Sequence, residues 1–211
     1  MRSKFFGEEL ERGRFLPLVE EFYSLQGEGF QMGRAAYFIR VGGCDLACSW
    51  CDSPMSWNPG DYPPVAVADI VSRAAQTPAK AVVVTGGEPG LYPLDYICAK
   101  LKEKGVQTFV ETSGAYGLTG QWDWICLSPK KQQPPVDDIY MKADELKVVV
   151  ASPVDLEWAA ENALRVKAGC HLFLQPEWSC VNEITPLIIE FILQNPQWRI
   201  SIQAHKYMRI P

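Results

Sequence analysis

Cys44, Cys48 and Cys51 fall within the stretch RVGGCDLACSWCDS, three thiols in one short loop among glycine, aspartate and serine. Thiolates bind soft metals, and both structural zinc and a fully ligated iron–sulfur cubane take four protein ligands. This loop offers three. The two histidines, His171 and His205, lie far along the chain, which makes zinc the minor reading, and the polar surroundings do not suit three core thiols. A four-iron cluster on three thiolates keeps one iron open, and an open iron is a place for a substrate or cosubstrate to bind. Cys98, Cys126 and Cys170 stand in apolar or strand-flanking contexts and read as core residues.

Such a loop needs a frame that brings other chemistry to it. Apolar runs at 16–23 and 35–41 read as strands around the glycine-rich LQGEGFQMGR. A helix is expected over 67–76 and a buried strand over 79–85. Pro93 then opens a helix whose Leu94, Ile97, Cys98 and Leu101 share a face and which Gly105 stops. Strands follow at 106–112, 122–128 and 145–150, then a helix over 153–167 and a strand at 171–176. Thr185 is placed as the cap of a helix that opens at Pro186 and runs to about Gln194, before a last strand over 198–203. This alternation predicts an α/β fold with a mainly parallel sheet, helices outside it, and one domain over 1–211. WNPGDYPP and KKQQPPVDD read as surface loops. Ligands in such folds gather at the carboxyl ends of strands. There the sequence places the cysteine loop, TGGEPG, ETSG, SPKK, QPEW and QAHKY.

Composition narrows the partners. With 211 residues, 47% hydrophobic and 21% charged, the chain can bury a substantial core. A net charge of -5 without a basic stripe argues against nucleic acid and membrane surfaces, and favours a small molecule. No apolar window reaches the length of a membrane span and no apolar run follows Met1, so a cytoplasmic protein is expected. Seven cysteines without a secretion signal favour metal or free thiols over disulfides.

The spacing C-x3-C-x2-C, with Trp50 before the last cysteine, resembles the signature of the radical S-adenosylmethionine enzymes, and GGEP at 86–89 resembles their second motif. More narrowly, FYSLQGEGFQMGRAAYFIRVGGC, CDS, TGGEP, ETSG, LSPK, LQP and QAHKYMRIP are together similar to the 7-carboxy-7-deazaguanine synthase family, from Phe22 to Pro211. The resemblance implies a partial, trimmed (β/α) radical-SAM barrel, since the chain is short for a full one. It also implies a 4Fe-4S cluster on Cys44, Cys48 and Cys51, S-adenosyl-L-methionine chelated by the open iron, and a Mg2+ ion. The implied reaction converts 6-carboxy-5,6,7,8-tetrahydropterin to 7-carboxy-7-deazaguanine and ammonia, a step toward queuosine and other deazapurines. It would proceed by hydrogen abstraction at C6 and radical ring contraction, with the cosubstrate regenerated. An electron donor such as flavodoxin or ferredoxin and a homodimer are implied as well.

Carried onto this chain, the resemblance sets Leu25, Gln26 and Gly27 at the edge of the pterin, with Glu28 accepting from its guanidine-like side. Arg40 would fork onto the substrate carboxylate, and Thr85 would be a further substrate contact. Ser53 would give its hydroxyl to Mg2+, a hard ion that keeps several waters. Trp50, Asp52, Gly87 and Glu88 fall to the cosubstrate, with Glu88 as an acceptor for its ammonium. Ser113, Ser128, Pro129, Lys130 and Gln175 complete that set. His205 and Pro211 lie in a tail that its position alone would leave frayed; the resemblance has it close over the substrate. A glycyl-radical activase would share the cysteine loop but leave LQGEG and HKY unexplained. A non-catalytic iron–sulfur electron carrier would need a fourth thiolate and no GGEP.

Overall fold

Alternation along the strands decides which side chains meet the ligand and which meet the helices. The computed structural model describes Leu10 and residues 12–211. Its nine strands are β1 (Phe15–Leu25), β2 (Ala35–Val41), β3 (Pro64–Ala66), β4 (Ala81–Gly86), β5 (Gln107–Thr112), β6 (Trp124–Leu127), β7 (Glu145–Val150), β8 (His171–Pro176) and β9 (Trp198–Ile200). They form one sheet in the order β3-β1-β2-β4-β5-β6-β7-β8-β9. From β2 onward every neighbouring pair is parallel, while β1 runs antiparallel to both β2 and β3. The sheet is open, with β3 and β9 as its edges, so the barrel is partial as expected.

On one face Ile39, Val41, Val84, Val110, Leu146 and Val148 join the main core beneath the helices. On the other, Arg40, Thr85, Glu111, Lys147 and Gln175 point the opposite way, as side chains one residue along a strand must, and line the principal cavity. Parallel pairing sets Arg40 beside Thr85, so polar residues of neighbouring strands stand together, and sets Val149 beside Gln175 on the same wall. Below them Phe38, Val83 and Phe109 close the barrel floor with a smaller apolar cluster.

Five helices cover the outer face, α1 (Val67–Ala74), α2 (Asp95–Glu103), α3 (Asp137–Tyr140), α4 (Val154–Ala163) and α5 (Val181–Gln194), while α6 (Ala204–Met208) lies on the cavity side. In α1 the buried Val67, Ile70, Val71 and Ala74 follow the helical repeat of three and four. In α2 Ile97, Cys98 and Leu101 do the same, Leu94 is the N-cap residue and Pro93 precedes it rather than opening the helix.

Several boundaries differ from the sequence reading. The loop WNPGDYPP ends in β3, whose three residues pair with Phe15, Leu16 and Pro17, and KKQQPPVDD runs into α3. Helix α4 stops at Ala163, four residues short of 167. Thr185 is not a cap. Helix α5 begins at Val181, Thr185 Oγ1 donates to the Val181 carbonyl at 2.5 Å, and Pro186 sits inside the helix. The missing proline N–H removes one bond near the helix start, and burial of Ile184 and Ile188 against β8 and β9 outweighs that loss. The last strand ends at Ile200, because Ser201 and Gln203 turn into the molecule and α6 follows.

Candidate active site

All three cysteines of the loop are free and line one cavity of about 250 Å³ at the carboxyl ends of the strands. The loop is set down on glycines. Gly43 at φ +103 donates its N–H to the Ser56 carbonyl, and Glu88 N–H donates to the Gly43 carbonyl at 2.7 Å. Gly86 at φ +124 and Gly87 lie so close to β2 and the loop that an added methyl would stand 2.4 Å from the Val41 carbonyl and 2.1 Å from the Gly43 carbonyl. The glycine pair therefore stitches GGEP to the cysteine loop.

The donor set fits an iron–sulfur cluster. Burial pushes the Cys44 and Cys48 thiols up, and Cys44 is raised further by Glu88, Cys48 and Cys51. Thiolates crowded in this way need a metal to neutralise them. Among the described residues no three His, Cys, Asp or Glu side chains are arranged to hold a single metal ion. Lys130 is half-buried at the rim, where desolvation lowers its pKa; its ammonium lies 5.2 Å from the Trp50 ring and donates to the Ser128 carbonyl and hydroxyl at 2.7 Å.

Glu88 departs from its expected part. Its carboxylate accepts from Gly90 N–H and Ser113 N–H at 2.8 Å, and from the Thr112 and Ser113 hydroxyls at 2.5 Å. About four lone-pair sites are all a carboxylate has, so these donors fill it and it braces the turn instead of standing free for an ammonium. Pro129 is buried but lies off the cavity wall. The other expected residues, from Leu25 to Pro211, do line the cavity.

The far end of the cavity is built around a buried cation that the sequence reading passed over. Lys147, with 5% of its side chain exposed, is ion-paired with Glu28, which keeps 15%. Burial alone would raise the Glu28 carboxyl; Lys147, Gln203 and His205 bring it instead down to about 2. The same pairing holds Lys147 well above its usual range against the opposing effect of burial. Glu111 accepts from Gln26 Nε2 at 2.8 Å and from the Thr85 hydroxyl at 3.1 Å, fixing both expected substrate contacts. Glu145 holds the loop after Gly29 by accepting from Phe30 N–H at 3.1 Å and Trp124 Nε1–H at 3.2 Å. These residues sit within strands at inward positions. The signal for them was a charged side chain on the polar side of an otherwise apolar strand.

Because the folded-state pKa of Glu28 lies below its ordinary value of 4.5, its stabilisation is complete above that pH and fades as pH falls toward about 2. The stability gap between wild type and Glu28→Gln, measured by urea unfolding, is expected to shrink across that window. A gap that stays constant from pH 5 to pH 2 would remove this linkage.

Arg40 donates to Glu20 at 2.7 Å and to the Ser53 hydroxyl at 2.9 Å, so the residue expected on the substrate carboxylate and the hydroxyl expected on Mg2+ touch one another. The tail folds back. Ala204 N–H donates to the Gly27 carbonyl at 2.9 Å, and a methyl on Gly27 would stand 2.3 Å from His205 Nδ1. Lys206 pairs with Asp52 at 2.6 Å and lies 4.7 Å from the Trp178 ring, on whose edge Tyr207 packs. His205 and Pro211 both line the cavity.

Comparison with known proteins agrees with this geometry. Residues 38–125 match the model of the radical SAM superfamily. The 7-carboxy-7-deazaguanine synthase of Flavobacterium psychrophilum is 50% identical over 202 residues, covering 96% of each chain. That of Synechocystis is 44% identical over 194 residues, covering 92% of this chain and 93% of its own. The crystal structure of QueE from Escherichia coli superposes with a TM-score of 0.81 at 27% identity, over 94% of this chain and 98% of that one. Similarity of this degree over nearly the whole length makes the chain a member of the 7-carboxy-7-deazaguanine synthase family within the radical S-adenosylmethionine superfamily.

Proposed function

We infer that the protein is a radical S-adenosylmethionine enzyme that converts 6-carboxy-5,6,7,8-tetrahydropterin to 7-carboxy-7-deazaguanine and ammonia. The observation that carries the reading is the convergence of LQGE, Arg40, Thr85 and His205 on the cavity that also holds the three free thiols. Cys44, Cys48 and Cys51 would hold the 4Fe-4S cluster. When bound, cluster and S-adenosylmethionine supply a 5'-deoxyadenosyl radical that takes a hydrogen from the substrate. The rest falls to the chain. With the Glu88 carboxylate filled, the ammonium of the cosubstrate is left to the backbone carbonyls of the glycine pair, while Ser128, Lys130 and Gln175 face its remaining parts. Arg40 orients the substrate carboxylate by a charge-assisted bond, and Glu28, held ionised by Lys147, accepts from the amino edge of the pterin. His205 and the segment to Pro211 cover the mouth of the site, which keeps water from a carbon radical while it rearranges.

The same reading treats 1–211 as one catalytic domain, working as a cytoplasmic homodimer with flavodoxin or ferredoxin as electron donor. No helix among the described residues is long and apolar enough to cross a membrane, which is compatible with it. Anaerobic reconstitution and incubation with pterin, cosubstrate and reductant tests the function. The expected product is 7-carboxy-7-deazaguanine, and cluster-loaded protein that leaves the pterin unchanged contradicts it.

Mg2+ belongs to this proposal through Ser53, whose hydroxyl oxygen and the substrate's oxygens would share an ion that otherwise keeps its waters. Ser53→Ala is expected to keep its iron but to lose roughly tenfold or more in Mg2+-dependent activation. Unchanged activation by Mg2+ would take Ser53 out of the site.

A further inference from the structure

Gln203 stands behind the cavity rather than on its wall, 5% exposed, in the stretch QAHKY. Its Nε2 donates to Asp52 Oδ2 at 2.7 Å and to Glu28 Oε1 at 3.0 Å, which uses both N–H groups of the amide. The two carboxylates belong to different sites. Asp52 follows Cys51 in the cluster loop, and Glu28 ends the LQGE segment that faces the pterin. Each is neutralised by its own lysine, Asp52 by Lys206 and Glu28 by Lys147, so charges alternate along a chain of contacts from one site to the other.

The ends of this chain differ in firmness. Lys147 stands in β7 and Glu28 N–H donates to Gln26 Oε1 at 3.2 Å, while the carbonyl of Gly27 accepts from Ala204 N–H and so pins the backbone beside Gln203. The cluster loop is tied at its start, where Gly43 and Cys44 N–H donate to the Ser56 and Trp57 carbonyls, but its stretch 45–52 carries a single backbone bond, from Cys51 N–H to the Cys48 carbonyl at 3.1 Å, and Ala47 takes a left-handed φ of 45°. A cluster on its three thiols is what would hold that loop still, and with it Asp52.

We propose that Gln203 is a positioning residue that makes cluster loading and pterin binding depend on one another. The inference rests on the pterin reading of Glu28 given above. A loop fastened by its cluster holds Asp52, Asp52 orients the amide, and the amide fixes Glu28 in the position that meets the substrate. Without the cluster the freedom of the loop passes to Glu28 through the same two hydrogen bonds. Linkage makes the effect reciprocal: bound pterin stiffens the loop for its cluster. A residue that merely packed the core would change stability without making one site sense the other.

The test is anaerobic titration calorimetry of 6-carboxy-5,6,7,8-tetrahydropterin into cluster-free and cluster-loaded protein, without S-adenosylmethionine. Wild type is expected to bind about tenfold tighter when loaded, a coupling within the usual range. In Gln203→Leu the two affinities are expected to converge to within about twofold, with iron content unchanged. Asp52→Ala cuts the bridge at its exposed end, leaves the Gln203–Glu28 bond in place and serves if the leucine variant does not fold; the same convergence is expected. Equal affinities in the two wild-type states, or variants that keep the tenfold gain, overturn the proposal. Wild type that binds no pterin in either state overturns the pterin reading itself, and the proposal with it.

Discussion

Replacing Cys51 with alanine is expected to abolish the brown iron–sulfur chromophore and product formation together, a rate loss on the order of 10³-fold or more, or about 4 kcal/mol of barrier. Three thiols on one loop line the cavity, and none of the remaining four cysteines does so. Losing one leaves two irons without a protein ligand, and no neighbour can take the empty place. The contrast is with Cys98 and Cys126. Burial pushes the Cys98 thiol up to about 12 and raises Cys126 well above its usual range, so both are neutral core side chains. Cys98→Ser and Cys126→Ser are expected to keep iron and turnover while losing a little stability. Iron content after reconstitution is the measurement; a Cys51→Ala protein that still takes up a four-iron cluster would show that the ligands lie elsewhere.

Lys147→Met is expected to strike both stability and catalysis. Removing the cation leaves Glu28, Glu111 and Glu145 without the positive charge they surround, and breaking one partner of a buried pair costs about 3–5 kcal/mol. For a chain of this length that corresponds to roughly 10 °C or more in melting temperature. Product formation should fall further than stability explains, because an uncompensated Glu28 protonates and no longer accepts from the pterin. The double change Lys147→Met with Glu28→Gln removes both charges and should recover most of the stability while activity stays lost. If the single variant melts like wild type, or if the double variant is active, Lys147 does not hold Glu28 for the substrate.

Much of this site was legible because its residues come in runs with turn chemistry. The cysteine loop, GGEP and the polar residues after each strand could be read one after another, and the fold follows from regular β–α alternation. Lys147, Glu111 and Glu145 were not legible in that way. They lie inside β5 (QTFVET) and β7 (ELKVVV), where the apolar run that marks a strand hides the charged residues that point the other way. Reading inward parity across β2, β4, β5 and β7 would have found them. Thr185 and Pro186 looked like a helix start by local preference, and tertiary burial of Ile184 and Ile188 overrode it. Glu88 had the right chemistry for an ammonium, but sequence could not reveal that Thr112 and Ser113, more than twenty residues away, fill its oxygens. His205 and Pro211 looked like part of a loose end. Their segment is held where Ala204 bonds to Gly27 and Lys206 to Asp52, contacts that only the folded chain brings within reach.

The most direct test of the whole account is a single anaerobic assay with S-adenosylmethionine limiting. Reconstituted, reduced protein is given excess 6-carboxy-5,6,7,8-tetrahydropterin and Mg2+, and 7-carboxy-7-deazaguanine, ammonia and 5'-deoxyadenosine are counted against the cosubstrate. Product and ammonia in equal amounts, both well above the cosubstrate supplied and with little 5'-deoxyadenosine, are the result predicted for a closed site that returns its hydrogen. Stoichiometric 5'-deoxyadenosine with no deazaguanine from protein carrying a full cluster would contradict it.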